Sequence, residues 1–251
     1  MNIQSAFLSD VGRVRRQNED SVAVLPDERL FVVADGMGGH AGGKRASETA
    51  VETVVSHVRQ TLHTRTAGNL APPRINREQL VEGILRANHR ILELARMDSS
   101  LHGMGTTVAA LLIEGEREGA VVHVGDSRVY RLRGDRFEQL TADHSLVADL
   151  VRRGEISDEE ARHHPYRHTL TRALGAGADV QPEVLHVDPA VGDLYILCSD
   201  GVYGMLDDEQ LNALAVANRD DPAALCRRLI DEANAAGGKD NASAIVVLCG
   251  D

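Results

Sequence analysis

Hydrophobic positions along the chain change period several times, and the changes divide it into elements. Residues 6–12 close a short strand that turns at Asp10-Val11-Gly12, and residues 21–25 form a second one. Pro26-Asp27-Glu28 is a turn signal, so the apolar run at 30–34 is predicted to return as a hairpin. Ala46, Ala50, Val51, Val54, Val55, Val58 and Leu62 then recur at helical spacing. Leu80, Val81, Ile84, Leu85, Ile91, Leu92 and Ala95 mark a second amphipathic helix. Residues 64–77 between them hold two prolines and no periodicity, which predicts a surface linker within one domain.

From Gly105 the period returns to two. TTVAALLI, GAVVHVG, RVYRLR and RFEQL follow one another between charged or glycine turns. Val129, Arg131 and Arg133 alternate with Tyr130 and Leu132, as in a half-exposed antiparallel meander. Residues 141–181 interrupt this. They carry two short helical runs, at 146–151 and 158–162, and then HHPYRHTLTRALGAGAD, rich in His and Arg and weakly apolar. This stretch is predicted to be a flap set into a single domain covering 1–251. Strands resume at 183–187, 194–198 and 242–249, and helices at 207–217 and 222–236. Groups of strands with helix pairs between and after them, and few βαβ alternations, place the chain in the α+β class.

Composition narrows the function. A hydrophobic content of 43% is that of an ordinary globular protein. A net charge of −11, no Trp, three Phe and four Tyr exclude a phosphate-backbone binder with an aromatic platform. Part of that negative charge is expected to belong to carboxylates that hold cations. Three widely spaced cysteines in apolar surroundings, Cys198, Cys226 and Cys249, predict buried thiols in a reducing compartment. No stretch has the length of a membrane span and the N-terminus has no signal pattern, so a cytoplasmic protein is expected.

Candidate chemistry centres on residues 30–43, LFVVADGMGGHAGG, where a strand ends in Asp35 and five glycines follow within eight residues. Residues 38–44 match the first seven positions of the phosphate-binding GxxxxGK[ST] loop, but Arg45 stands where the cation-binding hydroxyl belongs. Residues 36–41 match the loose GxGxxG/A dinucleotide pattern. In both readings Asp35 would oppose a phosphate unless a cation lay between them. A tight turn is the bland alternative. The metal reading gains from recurrence: Asp126, Asp200 and Asp240 also stand beside strand ends. One such Asp is an ordinary turn residue, whereas four can be aimed by a sheet at one point. Oxygen ligands select magnesium or manganese, and no zinc pattern competes, His163-His164 reading as a solvated doublet. Several Asp around two cations suit hydrolysis in which an activated water attacks phosphorus in line. A cysteine nucleophile is excluded because Glu232 and Gly204 occupy the CxxxxxR arginine position, and there is no GxSxG elbow.

Arg15 with NED at 18–20, ADGMGGH at 34–40, GMGTT at 103–107, VGDSR at 124–128, TRALG at 171–175, CSDG at 198–201 and DNAS at 240–243 occur in that order. Together they resemble the metal-dependent serine/threonine phosphatases of the protein phosphatase 2C type, over about residues 9–248, and in particular the compact bacterial ones. The resemblance implies a four-layer α-β-β-α sandwich of two antiparallel sheets flanked by helix pairs, with Mn2+ or Mg2+ as cofactor, two ions per centre and a weaker third. It implies that Asp35 bridges the two ions, the Gly36 carbonyl binds one, and Asp200 and Asp240 complete the second. Asp126 would hold the third with Asp200, Glu19 would act through water, and Asp20 would lie near the site. Arg15 matches the phosphate-holding arginine, a role suited to its fork of donors; a surface salt bridge to Glu19 or Asp20 is the alternative. Met37 stands where animal relatives carry a His, which leaves the general acid open between His40 and water. Phosphorylated proteins would be the substrates, a serine/threonine kinase encoded elsewhere the functional counterpart, and the enzyme a monomer with no nucleic-acid or membrane partner. A non-catalytic phosphoprotein-binding scaffold on the same fold is the competing reading, disfavoured by the complete acid set.

Overall fold

A computed structural model describes residues 1–38, 42–65 and 74–251. In chain order the elements are β1 (Asn2–Asp10), β2 (Asp20–Leu25), β3 (Leu30–Met37), α1 (Gly42–Arg65), α2 (Arg77–Met97), β4 (Gly105–Thr106), β5 (Val108–Ile113), β6 (Gly119–Val124), β7 (Arg128–Arg133) and β8 (Arg136–Gln139). There follow α3 (Leu146–Arg152), α4 (Asp158–His163), β9 (Glu183–Val187), β10 (Leu194–Cys198), α5 (Asp200–Tyr203), α6 (Asp208–Ala217), α7 (Pro222–Ala235) and β11 (Ala242–Gly250).

Local chemistry sets the helix starts. Asn76 and Gln79 form a capping box on α2, and Asp207 and Gln210 do the same on α6. Asp221 caps α7, whose first residue is Pro222. The β2–β3 hairpin forms as the turn signal predicts, with Leu25 opposite Leu30 and Asp20 opposite Asp35. The expected linker at 64–77 falls partly outside the described residues; α1 runs through Arg65 and α2 begins at Arg77.

All sheet pairing is antiparallel. One sheet has the order β1-β11-β10-β7-β8, the other β2-β3-β5-β6-β9 with β4 beside β3. The strands 105–140, which read as one meander, divide between the two sheets. β5 and β6 lie in one and β7 and β8 in the other, and the chain crosses at Gly125-Asp126-Ser127.

Parity along each strand builds the layers. In β3, Leu30, Val32 and Ala34 pack with Ala46, Val54, Leu80, Ile84 and Ile91 of α1 and α2. Phe31 and Val33 face the other sheet, where they join Tyr195, Leu197, Ile245 and Val247. On the far side Ile196, Ala244 and Val246 pack with Leu211, Leu225 and Leu229 of α6 and α7. The result is the expected four-layer α-β-β-α sandwich. The central strands are buried on both faces, which explains their unbroken apolar runs. The same parity makes Asp35 the next residue after Phe31 and Val33 on the inter-sheet face, at the open end of the sandwich.

Candidate metal centre

Five acids meet at that end. Burial pushes the Asp35 carboxyl well above the usual range, and repulsion from Asp20, Asp200, Asp126 and Asp240 adds to the shift. Burial likewise raises Asp20, with Asp200 and Asp240 adding to the shift. Asp200 is raised by burial and by Asp240. Burial and Asp200 push Asp126 to about 7. These groups resist ionisation because several negative charges share a poorly solvated space. Divalent cations would relieve that repulsion. Asp20 Oδ1 is buried without a hydrogen-bond partner, a second sign that something positive belongs here. The donors are all oxygen, so the residues fit magnesium or manganese.

Asp35 is held through its backbone. Its N–H donates to Thr107 Oγ1 at 2.9 Å, and its carbonyl accepts from Thr106 Oγ1 at 2.8 Å and Thr107 N at 2.9 Å. Thr107 Oγ1 also meets Ser127 Oγ at 2.6 Å, so the GMGTT and VGDSR segments are tied to one another. Gly36 donates its N–H to the Glu19 carbonyl at 3.2 Å. A Cβ at Gly36 would collide with the Gly43 and Glu19 carbonyls, so only glycine permits this approach of the β3 end to the start of α1.

A serine chain supports Asp20. Ser199 Oγ donates to Asp20 Oδ2 at 2.7 Å and accepts from Ser243 N at 3.0 Å. Asn241 pins the N-terminal loop to the turn that carries Asp240. Its amide donates to the Val11 and Gln17 carbonyls, each at 2.9 Å, and its carbonyl accepts from Glu19 N at 2.8 Å. Glu19 thereby reaches the same end of the molecule. The exposed Arg15 is delivered by this loop and donates to Asp240 Oδ2 at 2.6 Å, rather than to Glu19 or Asp20.

Of the residues singled out in the sequence, Arg15, Glu19, Asp20, Asp35, Gly36, Asp126, Asp200 and Asp240 come together. His40 lies outside the described residues. The roles of Thr106, Thr107, Ser199 and Asn241 were missed. Their signal was their position inside the quoted motifs, where they donate to backbone or carboxylate rather than act themselves. His168 was missed as well: it reaches from the 141–181 segment to place Nδ1 3.8 Å from Asp200 Oδ2.

A compact group elsewhere, His123, His144 and Glu183, has ligand atoms within 4.8 Å of one another. Its hydrogen bonds argue against a metal. Gly125 N–H donates to His144 Nδ1 at 3.2 Å, and His144 Nε2 lies 3.2 Å from Glu183 Oε2 and 3.3 Å from Arg172 Nη1. The Arg172 guanidinium already brings a positive charge to Nε2, the position a cation would need. The two imidazoles also stack at 4.6 Å and 20°. The group fastens the base of the 141–181 segment to β6 and β9. Backbone pairs Leu146 N to Thr169 O, Thr171 N to His144 O, and Thr106 with Leu174 complete that fastening.

The three thiols are buried, and burial pushes Cys198, Cys226 and Cys249 each up to about 12, which removes them as nucleophiles. No helix among the described residues is long and apolar enough to cross a membrane.

Comparison with known proteins agrees with this chemistry. The sequence profile described as Protein phosphatase 2C matches residues 13–238. The serine/threonine phosphatase stp of Listeria innocua is 35% identical over 251 residues, covering 98% of this chain and 95% of its own. The crystal structure of the Mycobacterium tuberculosis serine/threonine phosphatase PstP/Ppp superposes with a TM-score of 0.87 at 35% identity, over 100% of both chains. A structure of the PstP catalytic domain in complex with two manganese ions gives 0.86 at 34% identity, over 99% of each chain.

Proposed function

The chain belongs to the protein phosphatase 2C family of metal-dependent serine/threonine phosphatases, and on that premise we propose how its residues divide the hydrolysis of phosphoserine and phosphothreonine in proteins. One observation carries the assignment: five mutually repelling carboxylates converge at the sandwich end where the exposed Arg15 donates to one of them, Asp240.

Asp35 would hold two ions and the Gly36 carbonyl one of them. Asp200 and Asp240 would complete the second ion's protein ligands. Asp126 would take a weaker third with Asp200, Glu19 would act through water, and Asp20 would remain a near-site acid steadied by Ser199. Manganese or magnesium supplies Lewis acidity to the phosphoryl group and to the attacking water. Arg15 would fork two non-bridging oxygens of the phosphate and stabilise the charge that grows as the ester bond breaks. Its present partner, Asp240, supports this, because Arg15 would be free to exchange that carboxylate for the substrate's phosphate if Asp240 held a cation. His40 and water are the two donors for the leaving alkoxide.

The chain is read as one catalytic unit with residues 141–181 as a flap beside the site, His168 of that segment placing Nδ1 3.8 Å from Asp200 Oδ2. A cytoplasmic monomer that opposes a serine/threonine kinase is the setting this reading supports.

The test is hydrolysis of a chromogenic phosphate ester and of a phosphothreonine peptide, with manganese and with excess chelator. Turnover that requires manganese, releases phosphate without a trapped phosphoenzyme and disappears in Asp35→Asn is expected. Turnover that persists in chelator would overturn the proposal.

A further inference from the structure

Gly125, Asp126 and Ser127 carry the chain from one sheet to the other, and the turn is made at Gly125, where φ is +102°. A Cβ at that position would collide with the Thr107 side chain, so only the backbone N–H and carbonyl of Gly125 are left to hold it. Both go to one residue. Gly125 N–H donates to His144 Nδ1 at 3.2 Å, and His144 N–H donates to the Gly125 carbonyl at 3.0 Å.

His144 is itself fixed from several sides. It is buried, its ring stacks on that of His123 in β6, and its carbonyl accepts from Thr171 N at 2.8 Å. The last bond ties the start of the 141–181 segment to its return. The preceding residue, Asp143, holds Arg128 in a two-pronged pair, Nε to Oδ1 at 3.0 Å and Nη2 to Oδ2 at 2.7 Å. Residues 143 and 144 therefore grip the crossing on both sides of Asp126, at Arg128 and at Gly125. Between those two points Ser127 Oγ meets Thr107 Oγ1 at 2.6 Å.

We propose that His144 is a positioning residue for the weaker cation site: by clasping both backbone groups of Gly125 it fixes the crossing that delivers Asp126 to the acid cluster. This rests on the assignment of Asp126 to that site. The physical reason is conformational. A ligand whose preceding peptide is held at both N–H and carbonyl has less freedom for cation binding to freeze, and partners behind a ligand act in this way.

The experiment is a manganese titration, followed by calorimetry and by the spin-resonance signal of free ion, on the native chain, Asp126→Asn, His144→Asn and His144→Gln. Both His144 variants lose the stack on His123, so both should melt lower in chelator. They differ in where the amide stands. Asn places its oxygen where Nδ1 was and can still accept from Gly125 N–H, whereas Gln reaches the place of Nε2. His144→Gln should weaken the weak ion about 10–100-fold, while His144→Asn keeps it near native affinity and the tighter pair is unchanged in both. Equal weak-ion affinity in the two variants, native or reduced, overturns the inference and leaves the Asp126 assignment standing. Three ions still bound by Asp126→Asn overturn both. A second readout needs no variant. In the nitrogen-15-labelled native chain, a scalar coupling across the N–H···N hydrogen bond should join Gly125 N to His144 Nδ1, and its absence overturns the inference.

Discussion

Neutralising Asp35 should separate stability from activity. The residue is among the acids whose mutual repulsion and burial oppose ionisation, so Asp35→Asn is expected to raise the melting temperature in chelator while lowering turnover by at least about 100-fold. A variant that is both less stable and fully active would contradict the placement of Asp35. Thr107→Val tests support rather than chemistry. It removes the acceptor of the Asp35 N–H, which should cost about 1–3 kcal/mol for an orphaned donor, read by urea denaturation, and reduce manganese affinity. Arg15→Ala should raise KM for phosphorylated substrates far more than it lowers kcat, and unchanged kinetics would remove Arg15 from the phosphate. The acids were legible in the sequence because each ends or borders an apolar strand. Thr107, Ser199 and Asn241 were not, because what they do depends on partners far away in sequence. Asn241 bonds to residues more than 220 positions earlier, and no local pattern reports that. Arg15 stood out in the sequence as a candidate phosphate ligand, yet its resting partner, Asp240, was not among those expected.

Strand and helix periods were read well where an element has one buried face or a clear cap, as in α2, α7 and the β2–β3 hairpin. Errors fall where pairing decides. β1 begins at Asn2, earlier than the pattern suggested, because its pairing with β11 extends from Asn2 opposite Gly250 to Asp10 opposite Ala242. The run of four strands after Gly105 has uniform local spacing, and nothing within it announces that the chain changes sheets at Gly125. That crossing places Asp126 at the site, so the element the sequence left least resolved carries one of its acids. At this scale the loop fastened by Asn241 is the test. Asn241→Ala would leave the Val11 and Gln17 carbonyls and the Glu19 N–H without their partner, and a loss of about 1–3 kcal/mol is expected in denaturant unfolding. Because the same loop carries Arg15, KM should rise with it. A variant with native stability and native KM would show that the loop is held by other means.

Over the whole molecule, the acid cluster makes stability a function of pH and of cation. Asp126 titrates at about 7 in the cation-free fold against an ordinary 3.8, so the folded state keeps a proton that the unfolded chain has released. Its stabilising contribution is complete below about pH 4 and is lost as pH rises to about 7. His123 and His144, both lowered by burial, act with the opposite sign below 6.5. The readout that isolates the acid is the melting-temperature difference between Asp126→Asn and the native chain in chelator, expected to grow in favour of the variant from pH 5 to pH 7.5 and to shrink when manganese is added. A difference independent of pH would contradict the burial of Asp126. The pairing of β1 with β11, Asn2 opposite Gly250, carries a further consequence for synthesis on the ribosome. β11 stands between β1 and β10 in its sheet, so until residues 242–250 emerge those two strands have an empty slot between them and Asp240 has no fixed position. Such long-range closure slows folding. It also means that a nascent chain, however much of the preceding sequence has already folded, acquires phosphatase activity only once β11 is in place.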